Sequence, residues 1–279
     1  MLVALHSAPK GFFATGLPTN TDDLIRFVQK AASMNFKAVQ IGPLTDVVAI
    51  QGERLREVLN RLNMERNVHI GGIYDARKFA LTENEYSAAR SQIRLGIALC
   101  QELSSTLTSV HPPFFASTEE RDEQVVLRAK TRFLRLLKEQ TDFADSNGIK
   151  MAIESFCYPP FIFEDLADFI KFVLQFPSDK LGVLFDVGHL YQIGLDIFEA
   201  VALFKDRLFD IHVHDATLEK DYRKATHLPI GKGAIDLPEF INCLKQAEYD
   251  AWLTLEIKGT DKEILESKEY LERLITKAS

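Results

Sequence analysis

Short runs rich in Val, Ile, Leu and Phe alternate with longer amphipathic stretches from one end of the chain to the other. The runs read as strands: LVALHS (2–7), KAVQIG (37–42), VHIGGIYD (68–75), TLTSVHP (106–112), KMAIESF (150–156), LGVLFDVG (181–188), LFDIHVH (208–214) and AWLTLEI (251–257). Their lengths and their β-branched and aromatic content favour strand over helix. The stretches between them carry helical patterns. One follows PTNTDD (18–23), where Thr21 or Asp22 can cap. The others cover about 51–64, 83–102, 118–146, 163–176, 196–206, 237–248 and 263–277. Turns such as DSNGIK and FPSDKLG stand where helix C-caps belong. Eight near-continuous apolar strands, each followed by a helix, predict a closed parallel (β/α)8 barrel, the TIM-barrel architecture. No linker or low-complexity tract divides residues 1–279, which predicts a single domain. The long loops 7–20 and 217–235 follow strands one and seven. Loops after strands form the functional face of such a barrel.

Composition narrows the choice of partners. The 279 residues suit one barrel, and 46% hydrophobic with 26% charged residues is ordinary for a globular core. The net charge of −7 argues against a nucleic-acid surface, which lives on clustered Lys and Arg. Cys100, Cys157 and Cys243 are few and far apart, so no disulfide framework or cysteine zinc motif is predicted. The first residues lack the pattern of a signal peptide, and no apolar run approaches a membrane span. A cytoplasmic protein is the expectation.

Candidate chemistry collects at the C-terminal ends of the strands. Strand five carries Glu154, strand six Asp186 with His189 just beyond, strand seven His212 and His214, and strand eight Glu256. Strand four ends in His111, and His227 follows in the loop after strand seven. Carboxylates inside apolar strands cost several kcal/mol each unless something positive compensates them. Three of them at one barrel mouth would repel one another. A divalent ion held by Glu154, Asp186, His212 and Glu256 resolves the conflict and leaves coordination positions for two substrate oxygens. His189, His111 and His227 are the candidate substrate-binding residues. His214 is read either as an orienter of a metal ligand or as a filled core position. His6 and His69 are read as structural. The glycines of HLPIGKG set a tight loop, with contact between Gly231, Lys232 and Gly233 and an anion as the alternative.

The spaced set AIES, GVLFDVGH, DIHVHDA, HLPIGKGAID and LTLEI resembles the xylose isomerase-like TIM-barrel superfamily, which holds sugar and sugar-phosphate isomerases and epimerases, inosose-processing enzymes and endonuclease IV. The resemblance implies one divalent metal ion (Mn, Mg, Co or Zn) on Glu154, Asp186, His212 and Glu256. It also implies that the two glutamates exchange protons with substrate and that His189 touches a substrate oxygen. Two departures bear on activity. For the three-zinc cluster of endonuclease IV, Tyr74 is read where the nuclease has a histidine near the end of strand three, and Ala225 replaces a loop aspartate. The arginine that ketose 3-epimerases place after the strand-seven histidine is missing, with Lys220 or Arg223 as the nearest substitutes.

The function implied is a metal-dependent sugar or sugar-phosphate isomerase or epimerase. It would act on a keto-sugar or related polyol through an enediolate, with Glu154 and Glu256 as acid and base. An inosose-type dehydratase on the same site and an abasic-site nuclease are the alternatives, and a non-catalytic binding protein is a more distant one. Neither nucleic acid nor membrane is expected as a partner. Relatives of this kind are often dimers or tetramers, so a homo-oligomer is within expectation.

Overall fold

Eight parallel strands hydrogen-bond in chain order and the last pairs with the first, closing a barrel. The structure, a computed structural model, describes residues 1–7, 20–44, 50–71, 75–115, 121–155 and 161–277, without the side chain of Arg223. Tyr74, Cys157, most of the loop after the first strand and the Arg223 side chain therefore lie outside the described residues. The strands are β1 Leu2–His6, β2 Ala38–Leu44, β3 Glu65–Ile70, β4 Leu107–Val110, β5 Lys150–Glu154, β6 Leu181–Asp186, β7 Leu208–Val213 and β8 Trp252–Leu255. The helices are α1 Thr21–Ser33, α2 Gly52–Arg61, α3 Ala76–Leu81, α4 Glu83–Leu103, α5 Glu123–Asp145, α6 Leu166–Val173, α7 Val187–Gln192, α8 Ile197–Phe204, α9 Tyr222–Ala225, α10 Leu237–Gln246 and α11 Asp261–Thr276. This is the (β/α)8 architecture expected from the apolar rhythm. No helix among the described residues is long and apolar enough to cross a membrane.

Three details differ from the sequence reading. The third strand begins at Glu65, three residues before the apolar run, because the Arg66 guanidinium anchors its polar start on the Leu103 and Met64 carbonyls. Helix α1 is capped by Asn20, whose side chain accepts the Asp23 N–H; Thr21 instead turns inward and accepts the Gln51 N–H. Short helices α3, α7 and α9 sit in the loops after strands three, six and seven, where the pattern is too brief to read as helix.

Strand alternation divides the barrel wall into two chemistries. Val3, Leu5, Val39, Ile41, Val68, Ile70, Ile153, Val183, Phe185, Ile211, Val213, Leu253 and Leu255 are buried and belong to the continuous apolar core. Most of the alternate positions are small or polar, namely Ala4, Gln40, Asn67, Ser109, Ala152, Asp210 and Thr254, while β6 places the aliphatic Leu184 there. A barrel interior is ordinarily filled by branched aliphatic side chains. Here the layer beneath the C-terminal mouth is built for hydrogen bonding. The next residues along the same faces, His6, His69, Glu154, Asp186, His212 and Glu256, form the mouth.

Gly42 shows how tightly that mouth is set. Its φ of +145° is a glycine conformation, and it sits at the register break of β2 against β3. A β-carbon there would lie 2.0 Å from the His69 carbonyl oxygen. Ser7 locks the position, its hydroxyl donating to the Gly42 carbonyl at 2.8 Å and accepting the Gly42 N–H at 2.7 Å. Gly42→Ala is expected to cost more than about 2 kcal/mol in urea unfolding. An unchanged midpoint would show that β2 and β3 yield there without strain.

Candidate metal centre

Strand ends supply the proposed ligands. β5, β6 and β7 end in apolar runs whose last inward positions are Glu154, Asp186 and His212, and Glu256 follows the last residue of β8. All four are buried, with exposures of 1%, 0%, 1% and 8%, so bulk water screens none of them. His212 Nδ1 lies 2.9 Å from Glu256 Oε2, 3.7 Å from Asp186 Oδ2 and 3.9 Å from Glu154 Oε1. The four residues expected from sequence therefore converge.

The structure brings in every other histidine of the chain as well. His111 Nε2 lies 2.6 Å from Glu154 Oε2, and His69 Nε2 lies 3.4 Å from the same oxygen and 2.9 Å from His111 Nε2. His189 Nδ1 is 3.2 Å from Asp186 Oδ2, and its Nε2 is 3.1 Å from His227 Nε2 and 2.6 Å from the Tyr222 hydroxyl. His214 Nε2 bonds Asp186 Oδ1 at 3.0 Å, while its Nδ1 accepts the His227 backbone N–H at 2.9 Å. That network gives His214 the orienting place that was one of its two sequence readings. Gly188 makes room for it, since a β-carbon there would sit 1.9 Å from the His214 ring.

His6 and His69, read from the sequence as structural, also face the carboxylates. His69 joins His111 and Glu154 in a group whose donor atoms lie within 4.8 Å of one another. It stands on β3, ahead of Tyr74, where the sequence reading looked for a third-strand histidine. His6 stands 3.6 Å from Glu256 Oε1, and neither of its buried nitrogens has a hydrogen-bond partner. The signal was available: each is one of the last inward positions of its strand. The anion alternative for the glycine loop loses support, because Gly231 N–H is bonded to Asp215 Oδ2 and Lys232 N–H to the Pro229 carbonyl.

Unsatisfied atoms show what the centre suits. Glu154 Oε2, Asp186 Oδ2, His189 Nδ1 and His212 Nδ1 are buried and form no hydrogen bond of proper geometry. Ligand atoms around a zinc-sized ion with bonds of ~2.0–2.2 Å stand roughly 3–3.5 Å apart, close to the spacing here. The residues fit a divalent ion. Glu154, Asp186 and His212 form one group able to hold it, the His69–His111–Glu154 group a second that shares Glu154, and His189, His214 and His227 a third. In the third, His214 has already committed both nitrogens to Asp186 and His227.

Charge is balanced by histidines of two kinds. Burial pushes His6 down to about 3 and His227 down to about 4, and it holds His69 and His189 well below 6.5. For His212 burial acts in the same direction, but Glu256, Asp186 and Glu154 outweigh it and hold the ring well above 6.5. Glu154 likewise raises His111 and Asp186 raises His214, each against burial. Burial alone would raise Glu256 and Asp186; His212 beside the first, and His189 and His214 beside the second, bring both well below the carboxylate range.

The model of the xylose isomerase-like TIM-barrel family matches residues 28–274, and the chain belongs to that family. It is 29% identical over 231 residues to "Uncharacterized protein MJ1311" of Methanocaldococcus jannaschii, covering 78% of this chain and 74% of that one. It is 24% identical over 142 residues to an inosose isomerase of Bacillus licheniformis, covering 48% of this chain and 50% of the relative. A shorter stretch of 92 residues is 37% identical to "Probable endonuclease 4" of Akkermansia muciniphila, covering 29% of this chain and 32% of that one. The chain thus spans about half, or less, of these last two relatives. Among solved structures, a D-tagatose 3-epimerase-like protein shares the fold with a TM-score of 0.80 at 23% identity, covering 99% of this chain and 97% of that one.

The two kinds of histidine set the pH response of the metal-free protein. Histidines held below 6.5 in the fold (His6, His69, His189 and His227) are protonated first in the unfolded chain, so stability falls as pH drops from 6.5 towards about 4. Histidines held above 6.5 (His111, His212 and His214) contribute fully below 6.5, and that part is lost as pH rises through their folded values. Urea midpoints of chelator-treated protein should peak near pH 6.5. A midpoint climbing steadily to about pH 8 would contradict this balance.

Proposed function

We propose that the protein is a divalent-metal-dependent sugar isomerase or epimerase, with Glu154, Asp186, His212 and Glu256 holding the ion. The observation that carries the reading is the convergence of buried, hydrogen-bond-deficient oxygen and nitrogen atoms from three strand ends, with Glu256 Oε2 beside them. Its likeness to sugar-handling members of the family supports the substrate class. When bound, the ion would chelate two neighbouring substrate oxygens and stabilise negative charge developing on them.

The protein's own residues would do the rest. Glu256, held ionised by His212, is suited to take the proton from the carbon between a carbonyl and a hydroxyl. Glu154 lies on β5, three strands from β8, and can return a proton from a different side. Return to the same carbon on the opposite face gives epimerisation; return to the neighbouring carbon gives isomerisation. His189, with Tyr222 and His227 against its Nε2, faces the next substrate oxygen, and His111 orients Glu154. His6 and His227, neutral at ordinary pH, offer hydrogen bonds without adding charge. Loss of a β-hydroxyl from the same intermediate would give the dehydratase outcome.

One observation favours a second reading. His69 and His111 share Glu154 with the first group, so these residues could hold a second ion, which would supply the paired-metal chemistry suited to phosphoester hydrolysis. The resemblance to endonuclease IV points the same way, while the net charge of −7 opposes a DNA partner. Metal analysis separates the readings: one ion per chain is expected for the isomerase, and two or more with cleavage of abasic-site DNA for the nuclease.

The proton chemistry is tested with a panel of keto-sugars in deuterated water. The wild-type protein should exchange one carbon-bound hydrogen, and Glu154→Gln or Glu256→Gln should slow the exchange by about 100-fold or more. No exchange with any keto-sugar or keto-cyclitol would sink the proposal.

A further inference from the structure

We infer that Gln40 and Asp210 form a relay that fixes His212 with Nδ1, rather than Nε2, turned towards the carboxylates; the inference rests on the metal-site reading above. His212 Nε2 lies 2.7 Å from Gln40 Oε1, and Gln40 Nε2 donates to Asp210 Oδ2 at 2.8 Å. Gln40 stands on β2 and Asp210 on β7, so the relay crosses the barrel interior. The three residues are exposed by only 1%, 0% and 1%, which keeps substituting water out.

The order of donors and acceptors is forced from the far end. Asp210 Oδ1 accepts the Ile211 backbone N–H at 2.8 Å and the Thr254 hydroxyl at 2.8 Å, so this carboxylate faces donors. Gln40 must therefore offer its amide N–H to Asp210, since the reverse orientation would set oxygen against oxygen. That leaves Gln40 Oε1 for His212, whose Nε2 must carry a hydrogen. With an ion bound the ring is neutral and has one N–H, on Nε2, so the lone pair is on Nδ1, the atom that lies 2.9 Å from Glu256 Oε2. His214, the residue just after β7, offers a contrast. Its Nδ1 is occupied by the His227 N–H, so of these two rings His212 is the one that keeps Nδ1 available. A buried glutamine–aspartate pair in a barrel core costs stability, and positioning the ligand gives it a purpose.

The test combines Zn2+ affinity with 15N NMR of histidine rings. Zn2+-loaded wild-type protein should show the His212 proton on Nε2. Gln40→Met removes the acceptor. Asp210→Asn keeps its oxygen towards Ile211 and Thr254 and turns its amide on Gln40, which then flips and offers His212 a donor. Each single variant should bind Zn2+ about 10- to 100-fold more weakly. The double variant Q40E/D210N reverses the bond between positions 40 and 210 but still turns an acceptor on His212 Nε2, and should recover most of that loss, an outcome a merely space-filling role would not give. Wild-type affinity in both single variants, no recovery in the double variant, or a His212 proton on Nδ1 overturns the relay alone. If the variants fail to fold, the wild-type ring spectrum still decides. No Zn2+ uptake by wild-type protein overturns the metal reading together with the relay.

Discussion

Three carboxylates buried at one end of a barrel can exist only beside groups that neutralise them. Glu154, Asp186 and Glu256 are almost wholly removed from water, and the chain answers with all seven of its histidines. Lysine or arginine would neutralise the same charge permanently and exclude a cation. Histidine can hold a proton when the centre is metal-free and give it up to leave a lone pair for an ion. On the proposed function, that choice of residue would let one fold tolerate both states. It also explains the split between histidines held down by burial and histidines held up by an adjacent carboxylate.

The mouth depends on the layer beneath it. Gln40, Asn67, Ser109, Asp210 and Thr254 occupy inward positions where aliphatic side chains would be more stabilising. Ser109 bonds His69 Nδ1 at 2.7 Å, as Gln40 bonds His212, so polar floor residues fix two rings above them. The outward residues of the same strands pack against helices and supply the apolar burial that the interior gives up. The loop after β7 adds His227, held at φ +56° by hydrogen bonds through its N–H and carbonyl to His214 and Lys258. A non-glycine residue is kept in that conformation only where its surroundings over-determine it.

The strand rhythm, the parallel barrel and the four convergent strand-end residues were legible in the chain because each rests on a local pattern repeated eight times. The short helices were not, since a four- to six-residue helix is stabilised by its surroundings more than by its own sequence. His6 and His69 were passed over for a related reason. Each stands singly in an apolar run without an acidic neighbour, and the carboxylate each approaches belongs to another strand, Glu256 for His6 and Glu154 for His69.

By itself the sequence determined which residue types face inward, because alternation along a strand is a covalent fact carried by a two-residue repeat. It also determined that acidic groups and an imidazole end successive strands. Only the tertiary structure decided which histidine meets which oxygen, that Glu154 belongs to two groups of candidate ligands, and that a glutamine on β2 faces an aspartate on β7. Such pairings depend on barrel closure and strand register, which join residues as distant as Gln40 and His212, 172 positions apart, and leave no trace in local spacing.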